Sequence, residues 1–598
     1  MKIQQKIFRQ IVDILRDTGL HDERVLELAL QLVVWEKLSH EGGLPEELCM
    51  NPRHAEYSQR GADAFSKLQE VGGVCGEAFD IAYINTLTVS FDNFDHHLRR
   101  AIDTLLRFRK SGMLEQNWSL DIFEGFQSRT GGLVLPPELA DLMIALAHLE
   151  PNETVYLPWD ANAQCAMRVS QMDCDGLIET PMRTSVPALV NMLMFRKFDV
   201  IYGDPIREPG AVANGKLRQF DAVLAFPPFG IRYDFSAVEG DLWGRFPERT
   251  PAGSVLAIRH VLAQSKGRCV VAVPNSFLFG SGSEAACRQQ LIERGQIAGV
   301  IALPPILPSL PTLPFALLLL EPTGGSDFIR FINADDDRFR SMASRTKAKL
   351  TDVQALAEHA RATAESDVMR MVSISEVRAN DFNLEVSRFL LDQTAQRLQQ
   401  RLQSDKTILL SEVADIIRPL PLLRDGDGVG VHEVGAGDLP LYSYIDRASR
   451  AVTVEAGIAK RNAHQFLKPF DVVLIIKGSV GKVGIVPADC PPPGEGGWVA
   501  SQSAIVLRGR RNVPLETHAL VIQLRSLVGQ ELLKMITSGA SIPLIQVREL
   551  QQMRLLAFDE ETAKQAEIAL ATEADIQNQI LALGERQAAA AADLWARV

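Results

Sequence analysis

Between about residue 130 and residue 325, short apolar runs alternate with stretches of helical spacing: TVYLPWD, GLIET, FDVIYGD, FDAVLAFPPFG, RCVVAVPN, IAGVIALPP and LPFALLLLEP. Strands that alternate with helices pair in parallel, because a parallel connection needs a crossover long enough to hold a helix. The pattern therefore predicts an open, mostly parallel α/β sheet. Ligands of such sheets bind beyond the carboxyl ends of the strands, so the informative residues should stand where each apolar run stops.

A chain of 598 residues is too long for one core. Residues 1–125 carry apolar positions at helical spacing, Ile7, Ile11 and Leu15 and the block LELALQLVVWEKLSH, and read as a helical N-terminal domain. Residues 126–330 hold the sheet. Residues 331–405 read as a helical connector following the strand-like DFIRFINAD. Residues 406–558 read as mixed α/β, with strands in LPLYSYI, DVVLIIKGSVGKVGIVP and WVASQSAIVLRG and a loop at PADCPPPGEGG. Residues 559–598 have high helix propensity and read as one long dimerisation or packing helix. No repeat of fixed period is present.

Composition excludes several classes. The chain is 46% hydrophobic and 23% charged, and no apolar run approaches the roughly 20 residues that cross a bilayer. The first residues, MKIQQKIFRQIVDILRD, lack the apolar core of a secretory signal, so a cytoplasmic protein without a membrane partner is expected. The seven cysteines are scattered, with no CxxC pair and no histidine cluster beside them, which predicts reduced thiols and no metal. A net charge of −12 argues against a surface coated with nucleic acid, though not against a local basic groove.

FDAVLAFPPFG is the most informative segment. A strand ends in Pro-Pro-aromatic-Gly, which holds the backbone just past the sheet edge and presents carbonyls and an aromatic face. Taken alone it is more often the sequence of a structural turn than of a binding motif. The segment resembles the Asn/Asp-Pro-Pro-Tyr/Phe motif of adenine-N6 DNA methyltransferases, in the Asn-Pro-Pro-Phe-Gly form of type I modification subunits. AIRHVLAQSKGRCVVAVPNSFLFGSGSEAACRQQLIERGQIAGVIALPP, then LPFALLLLE and ISEVRANDFNLEVSRF, resemble the same subunit, so the likeness spans roughly residues 100–390. The resemblance implies a Rossmann-like class I methyltransferase domain. It also implies that a target adenine flipped from the duplex meets the motif. Pro227, Pro228, Phe229 and Gly230 match; Phe226 stands where the family has its Asn or Asp acceptor.

The resemblance extends to the methyl donor, S-adenosylmethionine. GGLVLPPELADLM is similar to the family's Gly-x-Phe-x-Thr-Pro segment, with Pro136 matched and Leu135 in the place of Thr. VYLPWDANAQC is similar to its Asp-Pro-x-x-Gly-Ser-Gly-Gly loop. Pro158 matches, Leu157 replaces the Asp, and Ala161 and Ala163 replace glycines that let backbone approach the donor. Asp160 and Asn162 offer polar groups there. Glu179 stands where the family's acid holds the ribose hydroxyls, Asn191 follows at the family's spacing, and Asp204 stands where an Asp contacts the adenine ring. The plainer alternative for each carboxylate is a cap on a local helix or turn.

FLKPFDVVLIIKGSVGKVGIVP, WVASQSAIVLRG, LLSEVADIIRP and GASIPLIQVREL resemble one target recognition domain of a type I specificity subunit, covering roughly residues 407–558. Lys477, Ser479 and Lys482 flank a tight turn from which lysines and backbone amides would meet DNA phosphates; the alternative is a glycine hairpin with solvated lysines. The resemblance implies double-stranded DNA as partner, and a homodimer or a complex with a nuclease or translocase subunit. Three readings follow: an adenine-N6 DNA methyltransferase of a restriction-modification or phage-defence system; a catalytically inactive homologue, a pseudoenzyme, that reads DNA and gates a nuclease; and an adaptor that makes protein contacts only.

Overall fold

The computed structural model describes residues 3–20, 22–41, 44–56, 65–70, 78–79, 91–114, 135–181, 184–194, 198–307, 313–344, 347–390, 398, 401–402, 404–421, 428–510, 514–538 and 543–592. They form two compact units, Met1–Leu390 and Leu391–Val598.

In the first unit the apolar runs become strands β1 Thr154–Pro158, β2 Asp175–Thr180, β3 Phe198–Tyr202, β4 Phe220–Ala225, β5 Ser265–Pro274, β6 Ile297–Leu303, β7 Phe315–Leu320, β8 Phe328–Asn333 and β9 Met369–Ser373. They form one sheet of nine strands in the order β9-β8-β6-β7-β5-β4-β1-β2-β3. β7 runs antiparallel to both neighbours and β9 antiparallel to β8; the other pairs are parallel.

Residues alternate between the faces as the pleat requires. Val155, Leu157, Ile178, Ala222 and Leu224 enter one core, where α1 Ile3–Arg16, α2 Asp22–His40, α3 Phe91–Lys110, α4 Pro137–Ala147, α5 Gln164–Val169 and α6 Val186–Met194 also bury apolar residues. Tyr156, Leu177, Val223 and Ala225 enter the other, with residues of α7 Gly253–Ala263 and α8 Ser283–Glu293. The helical N-terminus is fastened to the sheet domain: the Lys37 ammonium donates to the Leu193 carbonyl at 2.6 Å, and the Glu27 carboxylate accepts from the Ser185 amide. A bulge between β4 and β5 brings Gly267 so close to Asp221 that a Cβ would lie 2.1 Å from the Asp221 carbonyl oxygen, so only glycine fits there.

The segment expected as a helical connector is more β-rich than its polar composition indicated. β9 extends the main sheet, Arg340–Ser344 pairs with Lys347–Leu350 as a hairpin, and α9 Val353–Arg361 separates that hairpin from β9. β9 is only five residues, Met-Arg-Met-Val-Ser, on the sheet edge, too short and too mixed to stand out.

In the second unit, β10 Ala414–Ile417, β11 Val429–Val434, β12 Arg450–Val454, β13 Val472–Ile475, β14 Val483–Ile485, β15 Trp498–Ala500 and β16 Ala504–Gly509 make two sheets, β10-β16-β13-β14 and β12-β11-β15. LPLYSYI, expected as a strand, is irregular: Tyr444 makes one isolated bridge to Ile485, and Leu441 and Tyr442 are exposed. Helices α10 Pro514–Arg525 and α11 Leu527–Met535 follow, and α12 Glu560–Ala592 is the expected long C-terminal helix. It buries Ala563, Ala566 and Leu570 and leaves Ile576, Ile580, Leu581 and Leu583 exposed.

Candidate functional site at the strand ends

The parallel register brings the predicted residues to one sheet edge. Pro158 pairs with Glu179, Thr180 with Tyr202, and Tyr156 with Val223, so the residues that follow β4, β1, β2 and β3 leave the sheet at one level.

After β1 the chain turns sharply, with Trp159 at φ +68° and Ala163 at φ +54°. Alanine thus holds a left-handed conformation that glycine adopts without cost and that strains an L-residue by about 1–2 kcal/mol. Ala161 and Asn162 are half-buried. The Asp160 carboxylate accepts the amides of Gln164 and Ala166, each at 2.9 Å, and so caps the first turn of α5. Burial pushes its pKa up to about 6, opposed by those amide hydrogen bonds. Pro136, the N-cap of α4, is buried.

Glu179, at the end of β2, has no exposed surface. Its Oε1 accepts the Gly210 amide at 2.7 Å, and its Oε2 accepts the Tyr156 hydroxyl at 2.6 Å. Tyr156 Oη lies 2.9 Å from His260 Nε2, and Arg245 donates to His260 Nδ1 at 2.8 Å. An arginine only donates, so His260 carries its proton on Nε2 and donates it in a hydrogen bond to Tyr156 Oη. Arg245 is held in turn by Asp241 Oδ1 at 2.7 Å and by the carbonyls of Pro205 and Ile206 at 2.8 and 2.7 Å. The side chains of Arg245 and Asp241 are 0% and 3% exposed. A continuous polar chain, Asp241–Arg245–His260–Tyr156–Glu179, therefore runs beneath the strand ends. Burial pushes Glu179 up from the usual carboxylate range; burial, then Arg245, drives His260 well below the usual imidazole value and keeps it neutral.

Asp204, beyond β3, is half-buried. Its Oδ1 accepts the Ile206 amide at 2.9 Å and the Tyr233 hydroxyl at 3.4 Å, which shapes its own turn. Asn191 donates to the Phe198 carbonyl at 3.0 Å and ties α6 to β3.

Beyond β4, Phe226 is 8% exposed. Its ring packs against Phe229 at 5.4 Å and Phe315 at 6.1 Å, and Phe229 meets Phe315 at 5.8 Å. Pro227 is buried, Pro228 and Phe229 are half-buried, and Gly230 turns the chain at φ +76°. Phe226 joins the core on the Leu157 face of the sheet, whereas Glu179 bonds to Tyr156, which lies on the opposite face. The predicted residues thus share an edge while the side chains of Glu179 and Phe226 turn to different faces.

S-adenosylmethionine in the pose implied by the resemblance does not fit these side chains. The ribose-holding carboxylate is sealed and the amides opening α5 are taken by Asp160, whereas half-buried Asp204 commits only Oδ1 to its own turn.

Sequence reasoning passed over Tyr156, Arg245 and His260. The available signal was a tyrosine inside an apolar strand and a histidine inside the apolar helix LAIRHVLA. Among the described residues no group of His, Cys, Asp and Glu can hold a metal, and no helix is long and apolar enough to cross a membrane.

In the second unit, Lys477, Ser479 and Lys482 lie in the turn between β13 and β14 with exposed side chains; Gly478 and Gly481 take φ +80° and +88°. The Lys477, Gly478, Val480 and Gly481 amides bond to the Ser503, Pro543, Gly478 and Ile475 carbonyls, so these four turn amides are committed within the fold. The Lys482 ammonium reaches the Ala436 carbonyl at 3.1 Å. Nearby lies an open polar groove of about 1030 Å³, lined among others by Ser449, Arg450, Thr453, Ser501 and Gln502.

This edge, with its strand order and Pro-Pro-Phe-Gly turn, is that of a methyltransferase-like α/β domain, and residues 178–397 match the N-6 DNA methylase family. The chain is modification-subunit-like. It is 22% identical over 339 residues to the type I restriction enzyme MjaVIII methylase subunit of Methanocaldococcus jannaschii, covering 51% of this chain and 55% of that one. It is 22% identical over 307 residues to the MjaVII methylase subunit of the same organism, covering 46% and 52%. The chain thus spans about half the length of the curated relatives it matches. Its fold is that of the type I restriction-modification methyltransferase subunit from Streptococcus thermophilus, with TM-score 0.55, 16% identity, and coverage of 64% of this chain and 98% of that one.

Proposed function

We propose that this chain is a sequence-directed DNA-binding protein built on the adenine-N6 methyltransferase plan of type I modification subunits, with its own target reader in the same polypeptide. The observation that carries the reading is the Pro227-Pro228-Phe229-Gly230 turn at the carboxyl end of β4, inside the stretch that matches N-6 DNA methylases. That plan takes S-adenosylmethionine as methyl donor and double-stranded DNA as substrate, and its home is the cytoplasm.

In the reader, Lys477 and Lys482 face phosphates and position the duplex without reading it. Arg450, Gln502, Thr453 and Ser449 along the groove face base edges; arginine matches guanine and glutamine matches adenine in the major groove. One reader per chain reads a half-site, and two copies related by a twofold axis read a bipartite one. The exposed Ile576, Ile580 and Leu583 on α12 give such a dimer a seam, and a nuclease or translocase subunit is the other partner this plan admits.

The test is retardation of a pool of duplexes with randomised centres, over a range of salt concentrations. Binding should weaken with salt, and repeated selection should enrich one sequence. Arg450→Ala should relax selectivity at one base pair by about 1–3 kcal/mol. No retardation at low salt would sink the reading and leave the adaptor.

A further inference from the structure

We infer that the methyltransferase-like unit is closed by its own side chains, so that the chain reads DNA without taking up a methyl donor. The closed unit stands independently of the proposed DNA reading, and only the DNA binding rests on that reading. Two separate observations carry it.

The first is the donor side. A carboxylate that holds a ligand's hydroxyls must keep acceptor capacity facing the ligand. Glu179 has no exposed surface, the Gly210 amide on one oxygen and the Tyr156 hydroxyl on the other. Freeing it means breaking a chain in which every buried group already has a partner. The Tyr156 hydroxyl and the Gly210 amide would both lose Glu179 as acceptor, and His260 and Arg245 stand behind Tyr156 in the same buried chain. Buried polar groups left unpaired are expensive, so the closed arrangement holds itself.

The second is the base side. Phe226 brings no acceptor to the strand end, and its ring fills the space beside Phe229 and Phe315. Phe229 is thereby packed against neighbouring rings on the side of the core.

The experiment is calorimetric titration of the full chain with S-adenosylmethionine, beside melting curves of the wild type and Glu179→Ala without ligand. The wild type should give no saturable heat up to about 1 mM. Glu179→Ala should melt several degrees lower, because Tyr156 and Gly210 lose their acceptor inside the fold. Saturable binding to the wild type would overturn the inference, most directly if Glu179→Ala abolished it while leaving the melting curve in place. Absence of DNA retardation would sink the reading above and leave the closed unit standing. Donor binding together with DNA retardation would do the reverse.

Discussion

Tyr156→Phe removes one oxygen from the buried chain and leaves the ring in place. The stacked contact with Phe220, with centroids 5.0 Å apart, survives, so the change isolates the hydroxyl. That hydroxyl serves Glu179 at 2.6 Å and His260 at 2.9 Å, and neither residue has surface to recover a partner from water. A buried group stripped of its partner costs about 1–3 kcal/mol, and more when charged, so the loss should be about 2–4 kcal/mol at neutral pH. The effect should depend on pH. Burial raises the pKa of Glu179 above 4.5, and the Tyr156 hydrogen bond opposes that rise. A carboxyl raised on folding contributes stability that is fully present below its unfolded pKa and lost as pH rises through its folded pKa. The phenylalanine variant raises Glu179 further, so its deficit should be smallest near pH 4.5, where the lost partner of His260 sets it, and should grow toward neutrality. Denaturant titrations of both proteins at several pH values, read as midpoint shifts at constant slope, measure this. A deficit below about 0.5 kcal/mol, or one independent of pH, would refute the argument that Glu179 depends on this hydroxyl.

Phe226→Asn should cost about 3–5 kcal/mol in the same titration, because a ring is deleted from a packed cluster, and should not confer methyl transfer. Asp160→Asn keeps a capping oxygen and removes the titration; with Asp160 raised to about 6, wild type should lose on the order of 2 kcal/mol relative to the variant as pH rises from about 4 to 7. Replacing Lys477 and Lys482 together by alanine should lower the slope of log affinity against log salt by about 2 and weaken all duplexes equally; a change in the preferred sequence would place those residues on bases instead.

The main sheet was legible because its central strands are continuous apolar runs that end in turn residues and alternate with helical stretches. The positions of Glu179, Asp204 and Phe226 at one edge followed from strand polarity alone. The face each side chain chooses was not legible. It depends on whether a partner such as Tyr156 or His260 waits on that face, and those partners lie 23 and 81 positions from Glu179 in the chain. The capping role of Asp160 depends on a turn in which Ala163 takes a glycine-like φ, which composition argued against. β9 escaped notice because an edge strand of five residues gains its identity from the neighbour it pairs with. The turn amides of Lys477 and Gly478 bond to Ser503 and Pro543, dozens of residues away, so their commitment could not be read from the turn itself.

The central claim is that the strand-end edge of this chain is spent on its own packing. Its most direct test is to incubate the full chain with S-adenosylmethionine carrying a labelled methyl group and with duplex DNA enriched by its own selection, then recover the DNA. The account predicts bound DNA and no label in it. Label recovered as N6-methyladenine would contradict the account at its root.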